Sequence, residues 1–179
     1  MYTLPTVHFS ENKEDLIQQV RDVHNAIVEF YRSTPDEFFT TDPIPEGWSI
    51  KRNMKHVASS NKIFSVWIGA PRFFLKLFGK PKKNPPPPVE KIIPTNRLNI
   101  TDYGKYSRKR HNTPEDREKL VREILASAEK VCQAIEKRTE EELDSFRSPF
   151  GGFSLRTFCH FLIKHNLHHT GVVRTRLTS

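Results

Sequence analysis

Apolar residues recur along this chain at steps of three and four, in four separated stretches. Leu16, Val20, Val23, Ile27 and Phe30 form the first stripe, in a helix expected from about Asn12 to Arg32 with Ser10 as its cap. Ile50, Met54, Val57, Phe64 and Ile68 form the second, in a helix that Ser49 caps and that reaches about Gly69 before Pro71 ends or kinks it. Phe73, Phe74, Leu75 and Leu77, just past that proline, can make a further short amphipathic segment. The third stripe is Leu120, Ile124, Val131 and Ile135. It follows the start signal Asn112-Thr113-Pro114-Glu115, and its helix is expected to run to about Phe146. Pro149-Phe150-Gly151-Gly152 breaks the pattern, and a fourth helix capped by Ser154 carries Leu155, Phe158, Leu162 and Val172 nearly to the C-terminus.

Four amphipathic helices and no strands of weight predict an all-α fold, a four-helix bundle in one domain over residues 1–179. A long connection, about residues 80–112, separates the second helix from the third. Pro85 to Pro88 within it favour an extended polyproline conformation and read as a semi-rigid spacer. With 7 glycines and neither GxGxxG nor GxxxxGK[ST], the chain lacks the phosphate-cradling loops of dehydrogenases and ATPases.

Composition narrows the setting. Both cysteines, Cys132 and Cys159, fall inside expected helices, and Met1-Tyr2-Thr3-Leu4-Pro5 does not open a secretory leader, so a reduced, cytoplasmic protein is expected. The most apolar stretch, Ile63 to Phe78, is interrupted by Arg72 and Lys76 and is too short and charged to span a bilayer. The net charge is +8, and its excess gathers between Lys76 and Lys83 and between Lys105 and Arg110, in the expected connection. Neither cluster alternates aromatics with its charges as a single-strand stacking platform does, so it reads as solvated loop charge and nucleic acid is not an expected partner.

The chemistry lies in the histidines. Stepping by three and four from Leu162 along the fourth helix reaches His165, then His169, then Val172, so both histidines occupy positions where the period calls for core residues. Imidazoles four apart project about 40° apart from one helical face and can share a metal ion. On the second helix His56 lies beside Val57, on the side that carries Ile63 and Trp67, and can meet them from a neighbouring helix. Spacing alone leaves two readings open: imidazoles hydrogen-bonded within the core, or ligands of one ion. His168 falls at the edge of the stripe as a neighbour of the site or an exposed group. His160 points about 140° from His165 and reads as a surface residue, Arg156, Lys164 and Arg174 read as solvated charges, and His24 reads as packing on the first helix.

Two segments carry a family resemblance. Gly47-Trp48-Ser49 through His56-Val57-Ala58 is similar to the "W-[ST]-x-x-x-x-x-x-H-[LV]-A" opening of helix two in the DinB/YfiT-like family of metalloenzymes. Ser154 through His165-Asn166-Leu167-His168-His169-Thr170-Gly171 is similar to that family's "H-x-x-x-H-x-G-Q-[IV]" segment, with Val172 standing where glutamine is usual. The resemblance implies an up-down-down-up bundle in which His56, His165 and His169 are the metal ligands. It also implies a divalent ion, zinc or nickel foremost, and a homodimer. His168, Ser60 and Trp67 are candidates for the surroundings of the ion or for contact with a small-molecule substrate.

A divalent ion on three neutral imidazoles keeps an open position and can lower the pKa of bound water or of a bound thiol. Relatives in the resembled family include bacillithiol S-transferases and mycothiol-dependent maleylpyruvate isomerase. The leading expectation is therefore metal-assisted transfer of a low-molecular-weight thiol to a small molecule. A metal-dependent hydrolase ranks second, since no carboxylate is placed as a general base. A non-enzymatic, stress-associated metal-binding protein is the third reading. Cys159 lies about 120° around its helix from His165, so it is not the expected nucleophile.

Overall fold

The computed structural model describes residues 3–40, 48–82, 86–93 and 114–178. Regular structure among these residues is helical: seven α-helices, one 3-10 turn, and a lone β-bridge between Arg147 and Ser154. No described helix is long and apolar enough to cross a membrane.

Helix α1 spans Lys13–Ser33 and buries every residue of its expected stripe. Its cap is Asn12, whose Oδ1 accepts the Asp15 N–H at 2.8 Å, and not Ser10. Ser10 lies two residues earlier, fully buried, where the extended N-terminal segment crosses the start of the last helix. After Pro35 comes the short α2, Asp36–Thr40. Helix α3, Ile50–Ile68, begins as its sequence predicts, with Ser49 Oγ accepting the Arg52 N–H at 3.3 Å. It stops at Gly69, and Pro71 then opens α4, Arg72–Lys76, the short segment foreseen from Phe73 to Leu77. The open carbonyls at the end of α3 are met by the buried Arg138, which donates from Nε to Ile68 O at 2.7 Å and from Nη2 to Ala70 O.

Helix α5 covers Pro114–Glu136 and does not continue to Phe146. Thr139 and Glu142 form a capping box that starts a separate helix, α6, Glu140–Ser145, so two local signals restart the chain where one long helix was expected. Gly151 and Gly152 then adopt left-handed φ values of 69° and 70°, which let the chain reverse into α7, Leu155–Thr178. Ser154 caps α7 as expected, accepting the Thr157 N–H at 3.2 Å.

The four long helices enclose one core, with α1 and α3 each packed against both α5 and α7. Fully buried apolar side chains such as Leu16, Ile27, Met54, Ile124 and Phe158 each contribute about 1.5–3 kcal/mol to its stability. Several expectations for α7 fail. Val173 is buried in place of Val172, Arg156 is only 2% exposed, and His160 is fully buried. The periodicity of α7 cannot register that the N-terminal segment covers its first two turns. Phe9 stacks on the His160 ring at 5.3 Å, and Ser10 N–H donates to His160 Nε2 at 3.0 Å. Arg156 pairs there with Asp144 at 2.6 Å and Glu140 at 2.5 Å.

Much of the connection expected at 80–112, including Pro85 and the basic cluster at Lys105 to Arg110, lies outside the described residues. Its described part is docked on the protein. Val89–Lys91 forms a 3-10 turn, Val89 and Ile92 are buried, and Lys164 Nζ donates to the carbonyls of Val89 at 2.5 Å and Glu90 at 3.2 Å. Lys164 is thus a tether for this segment and not a solvated charge.

Candidate metal centre

His56 projects from the second turn of α3 towards α7, where His165 and His169 stand one turn apart. The three rings meet edge-on: centroids are 5.1 Å apart for His56 and His165, 4.3 Å for His56 and His169, and 4.6 Å for His165 and His169. One ring nitrogen from each lies within 4.8 Å of the other two. The tightest pair is His56 Nε2 and His165 Nε2, at 2.9 Å. Two imidazoles on one tetrahedral ion, each about 2.05 Å from it, stand about 3.3 Å apart. The pair therefore needs to open by only a few tenths of an ångström.

The surroundings hold His56 and His169 in the form that binds a cation. Burial, aided by the neighbouring His165 and the Arg52 guanidinium, pushes the His56 pKa down to about 4. Burial and the other imidazoles push His169 down to about 2. Both rings are neutral at pH 7, with a lone pair free for a ligand bond.

Orientation comes from Asn53, one turn before His56 on α3. Its Nδ2 donates to the carbonyls of Trp48 and Ser49, each at 3.1 Å, which turns Oδ1 towards α7. There Oδ1 accepts from His169 Nδ1 at 3.3 Å. With the proton on Nδ1, His169 Nε2 is the nitrogen available to an ion, the arrangement that a supporting hydrogen bond gives metal-binding histidines. Trp48 closes the other side: its indole stacks on His169 at 5.6 Å and meets His56 edge-on at 5.0 Å, with the Arg52 guanidinium 4.5 Å above it. Three converging imidazoles, two of them held neutral by burial, fit a divalent cation.

The remaining histidines have other settings. His168 is half-buried, its ring 5.5 Å from His169, and its Nε2 has no hydrogen-bond partner among the described residues. His24 belongs to the core: Nδ1 donates to Val20 O at 2.6 Å, and Nε2 accepts from Asn166 Nδ2 at 2.9 Å. Asn166 also donates to Asn61 Oδ1, and Asn61 to Ser127 Oγ, so this buried network joins all four long helices. Ser60 is buried one turn beyond His56, outside the hydrogen bonds that orient the imidazoles. Trp67 packs against Phe74, Phe78 and Phe150 and not against the three histidines. Burial raises the Cys159 thiol to about 12 and Cys132 to about 11, which leaves both as inert thiols.

Beside the histidines lies a cavity of about 570 Å³, and His165 is one of its lining residues. Asn53 and the indole of Trp48 are the parts of the centre that helical periodicity alone did not assign a role. The available signal was their placement: Asn53 is three residues before His56, on the same face of α3.

Compared with protein-family models, residues 19–173 match that of the DinB superfamily. The chain belongs to the DinB superfamily. The match takes in all three histidines and Asn53, and the helical fold agrees with it. No curated protein and no solved structure matches the chain. As a DinB-superfamily member with a three-histidine cluster, the protein is suited to a metal-dependent function.

Proposed function

We propose that this protein is a divalent-metal-dependent enzyme of the thiol S-transferase type, with His56, His165 and His169 as the ligands of zinc or nickel. The observation that carries the proposal is the convergence of three imidazole nitrogens within 4.8 Å, drawn from helices 109 residues apart in sequence. A divalent ion held there supplies a positive charge that favours the deprotonated form of a bound thiol near neutral pH. The four long helices are taken as the up-down-down-up bundle of the superfamily.

The chain's own groups have distinct parts in this reading. His56 and His169 present lone pairs, because burial keeps them neutral. Asn53 fixes the proton of His169 on Nδ1 and so directs Nε2 inward. Trp48 excludes water from the flank of the cluster that it covers. The cavity at His165 admits the molecule that receives the thiol. Among the described residues the cluster contains no carboxylate, which favours a thiol, acidic enough to lose its own proton, over water activated by a general base.

The test is consumption of an electrophilic small molecule by metal-loaded protein with and without a low-molecular-weight thiol. Turnover that needs both the thiol and the metal is the expected result. Turnover that needs the metal but ignores the thiol would replace transfer with hydrolysis.

A further inference from the structure

The walls of the cavity beside His165 carry a more specific message than its volume. Four phenylalanines and His165 form a ladder of nearly parallel rings. Phe150 faces Phe158 at 6.0 Å and 26°, and Phe158 stacks on Phe64 at 4.1 Å and 19°. Phe64 then faces Phe161 at 5.9 Å and 15°, and Phe161 faces His165 at 5.8 Å and 19°. All five of these residues line the cavity. The rings follow one another from Phe150 to the histidine cluster, each nearly parallel to the next, and give the cavity an aromatic wall along its length.

Ile63, Ile92 and Ile93 add aliphatic surface to the lining. Ile63, Ile93 and Phe150 remain 52%, 65% and 52% exposed and all line this one cavity, so the apolar surface is gathered where a ligand can cover it. The wall that holds Ile92 is also fixed, because Lys164 anchors the Val89–Lys91 turn to α7. Among the described residues, Lys91 is the one charged side chain in the lining, and none of them is acidic. A preformed apolar cavity of this size, with few polar groups, is the usual form of a small-molecule site.

We infer that this cavity binds the substrate of the centre, and that the substrate is a planar aromatic molecule, neutral or anionic, seated along the ring ladder with its reactive end at His165. The inference rests on the metal-centre reading for what happens to that molecule, but the binding itself depends on the ring ladder alone. Edge and face contacts with an aromatic wall favour a flat ring over a saturated one of equal size. Lys91 favours a carboxylate and disfavours an ammonium group on the same ring.

Metal-loaded full-length protein is titrated by calorimetry with 2-naphthol, 2-naphthoate and 2-naphthylmethylammonium. The first two are expected to saturate a site, and the third to bind about tenfold more weakly or less. Phe161→Ala, which removes a rung, and Ile63→Glu, a change on an exposed helical position, are each expected to weaken 2-naphthol about tenfold with metal content unchanged. Circular dichroism confirms that each variant is folded. His56→Ala separates the two readings: naphthol binding that survives in a metal-free variant leaves the cavity assignment standing even if the metal reading fails. Absence of saturable binding, equal binding of all three probes, or indifference to both cavity substitutions would overturn the inference.

Discussion

Asn53 Oδ1 faces His169 Nδ1 across 3.3 Å, while the same carboxamide donates to the backbone of Trp48 and Ser49. The start of α3 thereby sets the tautomer of an imidazole on α7. Asn53→Leu keeps the volume and removes the acceptor. Its expected effect is a loss of metal affinity of about 10- to 100-fold, read by competition with a chromophoric chelator. Asn53→Asp retains an acceptor and should bind metal at least as well as the native protein. Equal affinity for Asn53→Leu and native protein would remove Asn53 from the centre.

Trp48 stacks on His169, whereas Trp67 lies among phenylalanines. The chain has only these two tryptophans, so each can be observed alone. Adding nickel to Trp67→Phe should quench the remaining indole, and adding it to Trp48→Phe should leave the emission nearly unchanged. The reverse pattern would place the ion elsewhere.

Burial pushes the His160 pKa down to about 4, from an ordinary value of 6.5. The unfolded chain therefore takes up this proton first as pH falls, so stability is complete above pH 6.5 and declines towards pH 4. Buried His24, also lowered, acts in the same direction. The His160 contribution is up to about 3 kcal/mol over that window, at about 1.4 kcal/mol per pKa unit. Urea midpoints at pH 7 and pH 5 in the presence of a chelator measure it. His160→Gln, which cannot titrate, should show a flatter pH dependence, and an unchanged slope would contradict the assignment.

Arg156 is 2% exposed while its partners Glu140 and Asp144 are 46% and 59% exposed. Arg156→Met leaves two carboxylates that water can still reach, so its cost should fall near the low end for a broken buried pair, about 3 kcal/mol by urea denaturation. The larger part of that loss should be local. The clamp also holds Ser10 O, so hydrogen exchange at residues 8–10 should accelerate before the rest of α1 does.

The four long helices were legible because each buries one stripe, and steps of three and four report a single buried face. His165 and His169 were legible for the same reason: polar residues at apolar positions stand out against a strict period. His56, beside its helix's stripe next to Val57, was legible through the motif it shares with Trp48. Periodicity failed where a helix is covered on more than one side. Arg156 and His160 look solvated on a helical wheel, but the segment through Phe9 and Ser10, more than 140 residues away in the chain, lies over them. The end of α5 was missed because the amphipathic pattern continues through Leu143, although the chain restarts at the Thr139–Glu142 capping box. Trp48 was visible only as part of a motif. Its contact with two imidazoles depends on how α3 and α7 cross, which no local pattern states.

The most direct measurement is the metal content of native protein, His56→Ala and His165→Ala, each purified from zinc- and nickel-supplemented cultures and assayed by elemental analysis. The native chain should carry roughly one ion, and each variant, stripped of one imidazole from a three-ligand set, should retain little of it. Occupancy that is the same in all three proteins would show that the ion is held by other residues and that the three-histidine centre is not a metal site.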